Sequence, residues 1–463
     1  MNRREFFKNG ALTTIGLGLI SPVNSATYDK RRKQGSSAKN IIFLVSDGMS
    51  TGTLNMTDLM MQRQFGRQSS WMQLYREHKI PRALMDTASA NSLITDSAAG
   101  SSSWGGGMRV NNGSLNMGPK GEIYKPILQK FKEAGKSVGC VTTVPISHAT
   151  PAGFCINHPT RNEQDKIVEK YLALKFDVMM GGGSEFFDKD KREDGKDMFA
   201  AFKQAGFHMI QSKKDLSKVK DKKPVMGIYH EDGLPYSLDM MQDEELKANI
   251  PTLAEMTSFA IDHMKNNPKG FVMQVEGGKV DWAAHANDIG GLIYDQIAFD
   301  EAIQVAVDFA MQDKETLVII TTDHGNANPG LFSDAQGRFD NIQQFTHTNE
   351  WVLTRMSENS SVSNIREVLN FAHKIDFKKE DAEQLYHLFK GKGADGFYNA
   401  DRLPLHALAQ MQTSYTGVGW AGTGHSADFV ELAMLGPGSE MLNPFIRNTE
   451  LHNFMLEAAE IKV

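Results

Sequence analysis

The stretch that decides the fold is Ile41-Ile42-Phe43-Leu44-Val45-Ser46-Asp47-Gly48. Its first five residues are apolar, and the two isoleucines and the valine are β-branched. Such a run predicts a strand covered on both faces, because a strand with one wet face would alternate apolar and polar residues. Asp47 comes two positions after the run, at the predicted carboxyl end of the strand.

Three further apolar runs have the same form, and each ends in a polar or glycine-rich turn. They cover residues 137–141, 271–275 and 317–320. Helical patterns separate the runs, for example over residues 127–134 and 294–309. Alternating strands and helices predict an α/β fold with a mostly parallel central sheet, flanked by helices on both faces.

Polar side chains that suit metal ions follow three of these strands. They are Asp47, Glu276, Asp323 and His324. In a parallel sheet the carboxyl ends of the strands meet at one edge, so these side chains are expected to lie close together. Asp281 and His285 are four residues apart and share one face if that segment is helical. A carboxylate and an imidazole at this spacing can bind one divalent ion, although an isolated pair of this kind is more often structural.

Ser97 lies in the small-residue segment Thr95-Asp96-Ser97-Ala98-Ala99-Gly100. A phosphoryl group on a serine at a helix start would meet free backbone N–H groups and the positive end of the helix dipole. Taken alone, Asp-Ser is also a common N-cap pair, and His425 in its glycine-rich loop says little. Together, oxygen and nitrogen ligands at strand ends and a serine at a helix start match a two-metal phosphoryl-transfer site.

The order of these motifs resembles that of the alkaline phosphatase family over nearly the whole of residues 37–463. The matching motifs are Asp47-Gly48-Met49, Asp96-Ser97-Ala98-Ala99, Thr150-Pro151 with the later Arg161, Glu276 with Asp281 and His285, Asp323-His324, and Gly424-His425-Ser426. Residues 331–420 match least, and we expect them to form an insertion, or lid-like region, over the active-site edge. The resemblance implies hydrolysis of phosphate monoesters through a phosphoserine intermediate. The alternative is phosphodiester cleavage or another phosphoryl or sulfuryl transfer on the same superfamily fold.

The resemblance also implies a role for each matching residue. Ser97 would be the nucleophile, and Arg161 would clamp the phosphate. Asp281, His285 and His425 would bind one Zn²⁺, and Asp47, Asp323 and His324 a second. A third ion, Mg²⁺ in much of the family, would be held by Asp47, Thr150 and Glu276.

Two positions near the third ion depart from one well-known branch of the family. That branch carries Asp in the place of His148 and Lys in the place of Trp282. An imidazole cannot order the water shell of magnesium as a carboxylate does, so Co²⁺ or Zn²⁺ at the third site stays open. A role in packing alone would explain Trp282 equally well.

Residues 1–26 are typical of a twin-arginine export signal. Arg3 and Arg4 precede an apolar run, and small residues then offer a cleavage point. An ordinary secretory signal with a chance arginine pair is the alternative. We therefore expect an exported protein, periplasmic or secreted, without a stable membrane anchor. The family resemblance leaves a homodimer open.

Composition limits the partners and the kinds of metal site. The net charge of the 463 residues is −6, which argues against nucleic acid as a partner. The only two cysteines, Cys140 and Cys155, are too few for a cysteine-based zinc site, and we expect buried free thiols rather than a disulfide. A non-catalytic phosphate- or metal-binding protein is the rival of another class, and the intact set of nucleophile and ligands argues against it.

Overall fold

The structure is a computed structural model that describes residues 37–78, 80–332, 335, 337–357, 359–389 and 403–462. The predicted export signal at residues 1–26 lies outside the described residues. A large sheet forms the centre of the described chain, and buried apolar clusters cover both of its faces. The predicted α/β class, with helices on both sides of the sheet, is confirmed.

The strands, in chain order, are β1 (Asn40–Val45), β2 (Arg82–Asp86), β3 (Ser137–Pro145), β4 (Val178–Gly182), β5 (His208–Ile210), β6 (Val225–Ile228), β7 (Phe271–Glu276), β8 (Thr316–Thr321), β9 (Gly325–Asn326), β10 (Gly330–Leu331), β11 (Val418–Gly419), β12 (His425–Ser426), β13 (Val430–Leu435) and β14 (Phe445–Arg447). Ten of them form the central sheet in the order β14-β2-β13-β8-β1-β7-β3-β4-β6-β5. Of these ten, β13 alone runs against its neighbours β8 and β2. The four strands predicted from sequence, β8, β1, β7 and β3, are adjacent in the middle of the sheet.

The α-helices of the described residues are α1 (Thr51–Phe65), α2 (Ser70–Gln73), α3 (Ser97–Gly106), α4 (Ile127–Glu133), α5 (Ala149–Cys155), α6 (Gln164–Leu174), α7 (Met198–Gln204), α8 (Lys213–Leu216), α9 (Ser237–Met240), α10 (Glu244–Asn249), α11 (Leu253–Met264), α12 (Lys279–His285), α13 (Ile289–Asp313), α14 (Asn349–Thr354), α15 (Val362–His373), α16 (Lys379–Phe389), α17 (Leu405–Thr416) and α18 (Glu450–Ala458). Within the described ranges, no helix combines the length and the apolar character needed to cross a bilayer.

Strand β1 shows why a continuous apolar run was required. Ile42 and Leu44 belong to the cluster on one face of the sheet, whereas Ile41, Phe43 and Val45 belong to the cluster on the other. Because successive side chains point to opposite faces, a strand buried on both sides favours apolar residues at consecutive positions. Polar site residues such as Asp47 therefore lie after the strand, at its carboxyl end.

Helices α3 and α5 approach each other closely at two glycines. A Cβ atom on Gly105 would lie 2.0 Å from the carbonyl oxygen of Gly153, and a Cβ on Gly153 would lie 2.4 Å from Ser101 Oγ. Only glycine permits this separation between the two backbones. Since α3 begins at Ser97 and α5 contains Thr150, the close packing brings two predicted site residues together.

The described part of residues 331–420 contributes β11 and the helices α14 to α17, and it contacts the turn between α12 and α13. The backbone N–H of Asn349 donates to Asp288 Oδ2 at 2.6 Å, and His406 Nδ1 lies 2.6 Å from Asn287 Oδ1. Asn287 and Asp288 come two and three positions after His285, so the region is anchored close to a predicted ligand.

The two cysteines lie on neighbouring elements. Cys140 is on β3 and Cys155 ends α5, and both are buried free thiols with their sulfur atoms 3.6 Å apart. The expectation of unpaired, buried cysteines is confirmed.

Candidate active site

The carboxyl edge of the sheet gathers the predicted site residues. Asp47 follows β1, Glu276 ends β7, and Asp323 and His324 follow β8. Thr150 lies on α5, the helix that follows β3. Its hydroxyl donates to Asp47 Oδ2 at 3.2 Å. The four central strands are adjacent, so their carboxyl ends bring Asp47 and His324, 277 positions apart in the chain, into one site.

The described residues contain three groups of ligand-type side chains. Within each group, one ligand atom from every residue lies within 4.8 Å of the others. The groups are Asp281, His285 and His425; Asp47, Asp323 and His324; and Asp47, His148 and Glu276. Asp47 belongs to two of them. The first two groups contain the same residues as the two ligand sets expected from the sequence. His148 was expected beside the third ligand set rather than as a member of it.

The two histidines of the first group are oriented by backbone carbonyls. His285 Nδ1 lies 2.7 Å from the carbonyl oxygen of Thr423, and His425 Nδ1 lies 2.9 Å from that of Thr95. A carbonyl only accepts, so each Nδ1 carries the proton and each Nε2 presents a lone pair. The two Nε2 atoms are 3.0 Å apart, and facing lone pairs at this distance suit a shared cation.

The short pairing of β9 with β12 delivers His425 to the site. His425 is opposite Asn326 in this antiparallel ladder, 99 positions away in the chain. Asn326 Nδ2 also donates to Asp281 Oδ1 at 2.6 Å, which orients that carboxylate. The role of Asn326 was not predicted; its place directly after Asp323-His324-Gly325 was the only signal for it.

Three carboxylates of the site are buried with an oxygen that has no hydrogen-bond partner among the described residues. These oxygens are Asp47 Oδ1, Glu276 Oε1 and Asp323 Oδ2. Burial, followed by the charges of Asp323 and Asp281, raises the pKa of Asp47 well above its ordinary value. Burial raises the pKa of Asp323 to about 7, and that of Glu276 to about 8. Buried oxygens of this kind fit a bound cation, which would replace both the missing partners and the proton.

Ser97 is the first residue of α3 and is buried, with its Oγ 3.4 Å from His324 Nε2. The preceding residue, Asp96, caps the helix, because its Oδ1 accepts from the backbone N–H of Ala99 at 2.9 Å. Asp96 Oδ2 also pairs with Arg161 Nη1 at 3.0 Å. Asp96 thus fixes both the serine and the arginine, a role the sequence analysis did not assign beyond its N-cap pattern.

His148 is held against the arginine. Arg161 Nη2 lies 2.9 Å from His148 Nε2, and a guanidinium only donates, so Nε2 accepts and Nδ1 carries the ring proton. Burial, and then the charge of Arg161, lowers the pKa of His148 to about 3, which keeps the ring neutral. The ring of Trp282 meets that of His148 edge-on, with the centroids 6.2 Å apart.

The fold and the site define a metal-dependent enzyme of phosphoryl transfer. The family model described as "Alkaline phosphatase" matches residues 38–461. The chain belongs to the alkaline phosphatase family, and it is a phosphomonoesterase.

Individual relatives agree with this assignment over the full length of the chain. The chain is 28% identical over 476 residues to alkaline phosphatase 4 of Bacillus subtilis, covering 99% of each protein. It is 26% identical over 463 residues to alkaline phosphatase 3 of the same organism, covering 98% of this chain and 95% of the relative. The crystal structure of Thermus thermophilus alkaline phosphatase superposes with a TM-score of 0.85 at 28% identity, covering 96% of each chain.

The buried carboxyl groups predict how pH acts on metal-stripped protein. Their pKa values are raised in the folded chain, so between about pH 4 and about pH 8 the folded state binds more protons than the unfolded state. The free energy of unfolding of the stripped protein should therefore fall as pH rises through this window. We expect its melting temperature to fall steadily from pH 5 to pH 8, and refilling with metal ions should flatten the curve. The Asp323→Asn variant, stripped in the same way, should show a weaker pH dependence. Parallel curves for stripped and refilled protein would contradict this reading of the site.

Proposed function

We propose that Ser97 is the nucleophile of phosphate-monoester hydrolysis and becomes phosphorylated during the reaction. The observation that carries the proposal is the position of its Oγ, at the start of α3 and 3.4 Å from Nε2 of His324, a member of one ligand group. The N–H groups and the dipole at a helix start favour negative charge, which suits a phosphoryl group on this oxygen.

Arg161 is proposed to hold the phosphate during both steps. Its guanidinium presents a planar fork that matches two phosphate oxygens. Asp96 and His148 each contact one of its terminal nitrogens, so its position is set before a substrate arrives. A pre-positioned cation in a partly buried site loses little conformational entropy when it binds the transition state.

The three ligand groups are proposed to hold the metal ions of the site. Asp281, His285 and His425 suit Zn²⁺, as do Asp47, Asp323 and His324, because both sets mix carboxylate and imidazole donors. Thr150 and the carboxylates of Asp47 and Glu276 offer oxygen, which suits Mg²⁺ at the third site. Bound ions would supply Lewis-acid stabilisation of the reacting oxygens and would lower the pKa of a hydroxyl or a water.

The residues then support two displacement steps. In the first, Ser97 Oγ attacks phosphorus while Arg161 holds two of the other oxygens, and the alcohol leaves on the side away from the serine. In the second, water attacks the phosphoserine from the side that the alcohol vacated, and Ser97 Oγ is released. The site lies in a rigid edge of the sheet, so both steps use the same fixed donors.

The Ser97→Ala variant tests the nucleophile. We expect turnover of p-nitrophenyl phosphate to fall by about 10³-fold or more, because the group that receives the phosphoryl is removed. The fold and metal content should be retained, since Ser97 Oγ makes only the long contact with His324. Acid quenching of the parent protein with substrate should trap phosphate on Ser97.

Ser103→Ala is the matched control, because Ser103 is on the same helix and its hydroxyl only donates to the carbonyl oxygen of Ala99. It should retain most of the activity. Near-normal turnover by Ser97→Ala, or phosphate trapped on another residue, would rule out Ser97. Measured beside it, a parent protein that cleaves bis(p-nitrophenyl) phosphate faster than the monoester would favour the phosphodiesterase alternative.

The third site should depend on His148. His148 lies with Asp47 and Glu276 in the third ligand group, and its ring offers nitrogen rather than oxygen. Replacement by Asp would add an oxygen donor and a negative charge, both of which magnesium favours. We expect His148→Asp, alone or with Trp282→Lys, to lower the Mg²⁺ concentration that half-activates stripped, zinc-refilled protein by about tenfold.

Cobalt should compete with magnesium better in the parent than in His148→Asp. Trp282→Lys alone serves as the control for packing changes near the histidine. If the parent and His148→Asp respond identically to zinc, magnesium and cobalt, then His148 does not tune the third site and Trp282 is a packing residue.

We also propose export through the twin-arginine route, and with it a periplasmic or secreted protein that folds around its metals before export. The pair Arg3-Arg4 in residues 1–26 supports the proposal. Replacement of both arginines by lysine should leave the precursor in the cytoplasm, as measured by fractionation. Normal export of that variant would favour an ordinary secretory signal. A homodimer is proposed from the family resemblance alone.

A further inference from the structure

A cavity of about 540 Å³ is lined by Trp282 of helix α12 and by residues of helix α14, Trp351 among them. Three aromatic residues line it, namely Tyr236, Trp282 and Trp351. Charged groups of both signs share the lining: Asp232, Asp239, Lys279, Glu350 and Arg355. Its size and its mixture of aromatic walls with a few polar groups are those of a small-molecule site.

Lys279 brings to this cavity an ammonium group for which the described residues supply no hydrogen-bond acceptor. The side chain is 6% exposed, and its ammonium lies 3.7 Å from the centroid of the Tyr236 ring and 4.5 Å from that of Trp282. Within the described part of the chain, no acceptor hydrogen-bonds to this ammonium and no carboxylate oxygen lies within 4.0 Å of it. The aromatic faces compensate part of the charge, but the carboxylates that line the cavity lie too far from the three N–H donors to bond them.

The cavity adjoins the proposed catalytic site through one short helix. Helix α12 carries Lys279 and Trp282 toward the cavity, and Asp281 and His285 toward the first ligand group. Trp282 follows Asp281 directly, and its ring also contacts His148, which contacts Arg161. For a substrate with its phosphoryl group at Ser97 and Arg161, the space beside Trp282 is therefore a neighbouring place for the alcohol portion.

We propose that this cavity binds the alcohol portion of the substrate and selects alcohols with several hydroxyl groups, such as sugar phosphates. The inference rests on the proposed function, because it takes the phosphoryl position from Ser97 and Arg161. A sugar ring presents an apolar face to an aromatic side chain, and its hydroxyls both accept and donate hydrogen bonds. They can accept from Lys279 and donate to carboxylates such as Glu350.

The charges favour a neutral polyol over a second anionic group. Three carboxylates and two cations line the cavity, so an anion near Lys279 would also face Asp232, Asp239 and Glu350. Like charges at such distances cost affinity. A hydroxyl group avoids this cost and still supplies the acceptor that the ammonium lacks. Asp239 is already engaged, since both of its oxygens accept from Thr348, which leaves Asp232 and Glu350 to receive hydroxyl protons.

The test compares the Lys279→Met variant with the parent on two substrates, glucose 6-phosphate and p-nitrophenyl phosphate. We expect kcat/KM for the sugar ester to fall about tenfold, mainly through KM, because one charge-assisted hydrogen bond is lost. The value for the aryl ester should change less than about twofold. Glu350→Gln, which keeps the shape of the cavity, should raise KM for the sugar ester in the same selective way. Lys374→Met is the matched control, because Lys374 also contacts an aromatic ring, that of Phe371, but lies outside the cavity.

The possible results distinguish a failure of the cavity inference from a failure of the proposed function. Equal losses on both substrates, or no loss on either, would overturn the inference, since Lys279 would then only support α12. A larger loss on O-phosphoserine than on glucose 6-phosphate would overturn it in favour of a site for a second anionic group. A parent protein that does not hydrolyse p-nitrophenyl phosphate would contradict the proposed function itself, and the inference with it. Should Lys279→Met fail to fold, Glu350→Gln decides between these outcomes alone.

Discussion

The repulsion among carboxylates that the sheet buries at one edge is the constraint on which the rest of the site depends. Asp47, Glu276 and Asp323 are fully buried, and each keeps an oxygen without a hydrogen-bond partner in the described chain. Water cannot relieve this charge, because the strands before and beside these residues are apolar on both faces. The folded protein can tolerate such a cluster only with protons or cations among the oxygens, which links folding to metal binding.

The neighbouring elements prepare this edge for cations rather than for protons. Backbone carbonyls fix the tautomers of His285 and His425, so that both lone pairs face the same point. Asn326 orients the Asp281 carboxylate from the short β9–β12 ladder. These contacts keep the ligands in place before an ion binds, and they reduce the conformational entropy that binding would otherwise cost. Contacts of the same kind hold Arg161 between Asp96 and His148.

Helix α12 has only seven residues, yet it serves two regions at once. One side supplies Asp281 and His285, while Lys279 and Trp282 line the cavity that α14 closes. The helices of residues 331–420 are anchored at Asn287 and Asp288, next to the end of α12. Residues 331–420 therefore contribute to the cavity beside the sheet edge that carries the ligand groups.

The sequence by itself determined the central sheet, the order of its motifs and nearly all of the candidate ligands. Runs such as Ile41–Val45 must be buried on both faces, and the polar residues that end them must meet at one edge of a parallel sheet. What only the tertiary structure decided are the contacts between segments distant in the chain: Asn326 on Asp281, Asp96 on Arg161, the ring orientation of His148 and the cavity at Lys279. Periodicity reports which face of an element is buried, but not which partner lies against it. Those partners are chosen by the packing of the whole chain, and so is the protonation of each buried group.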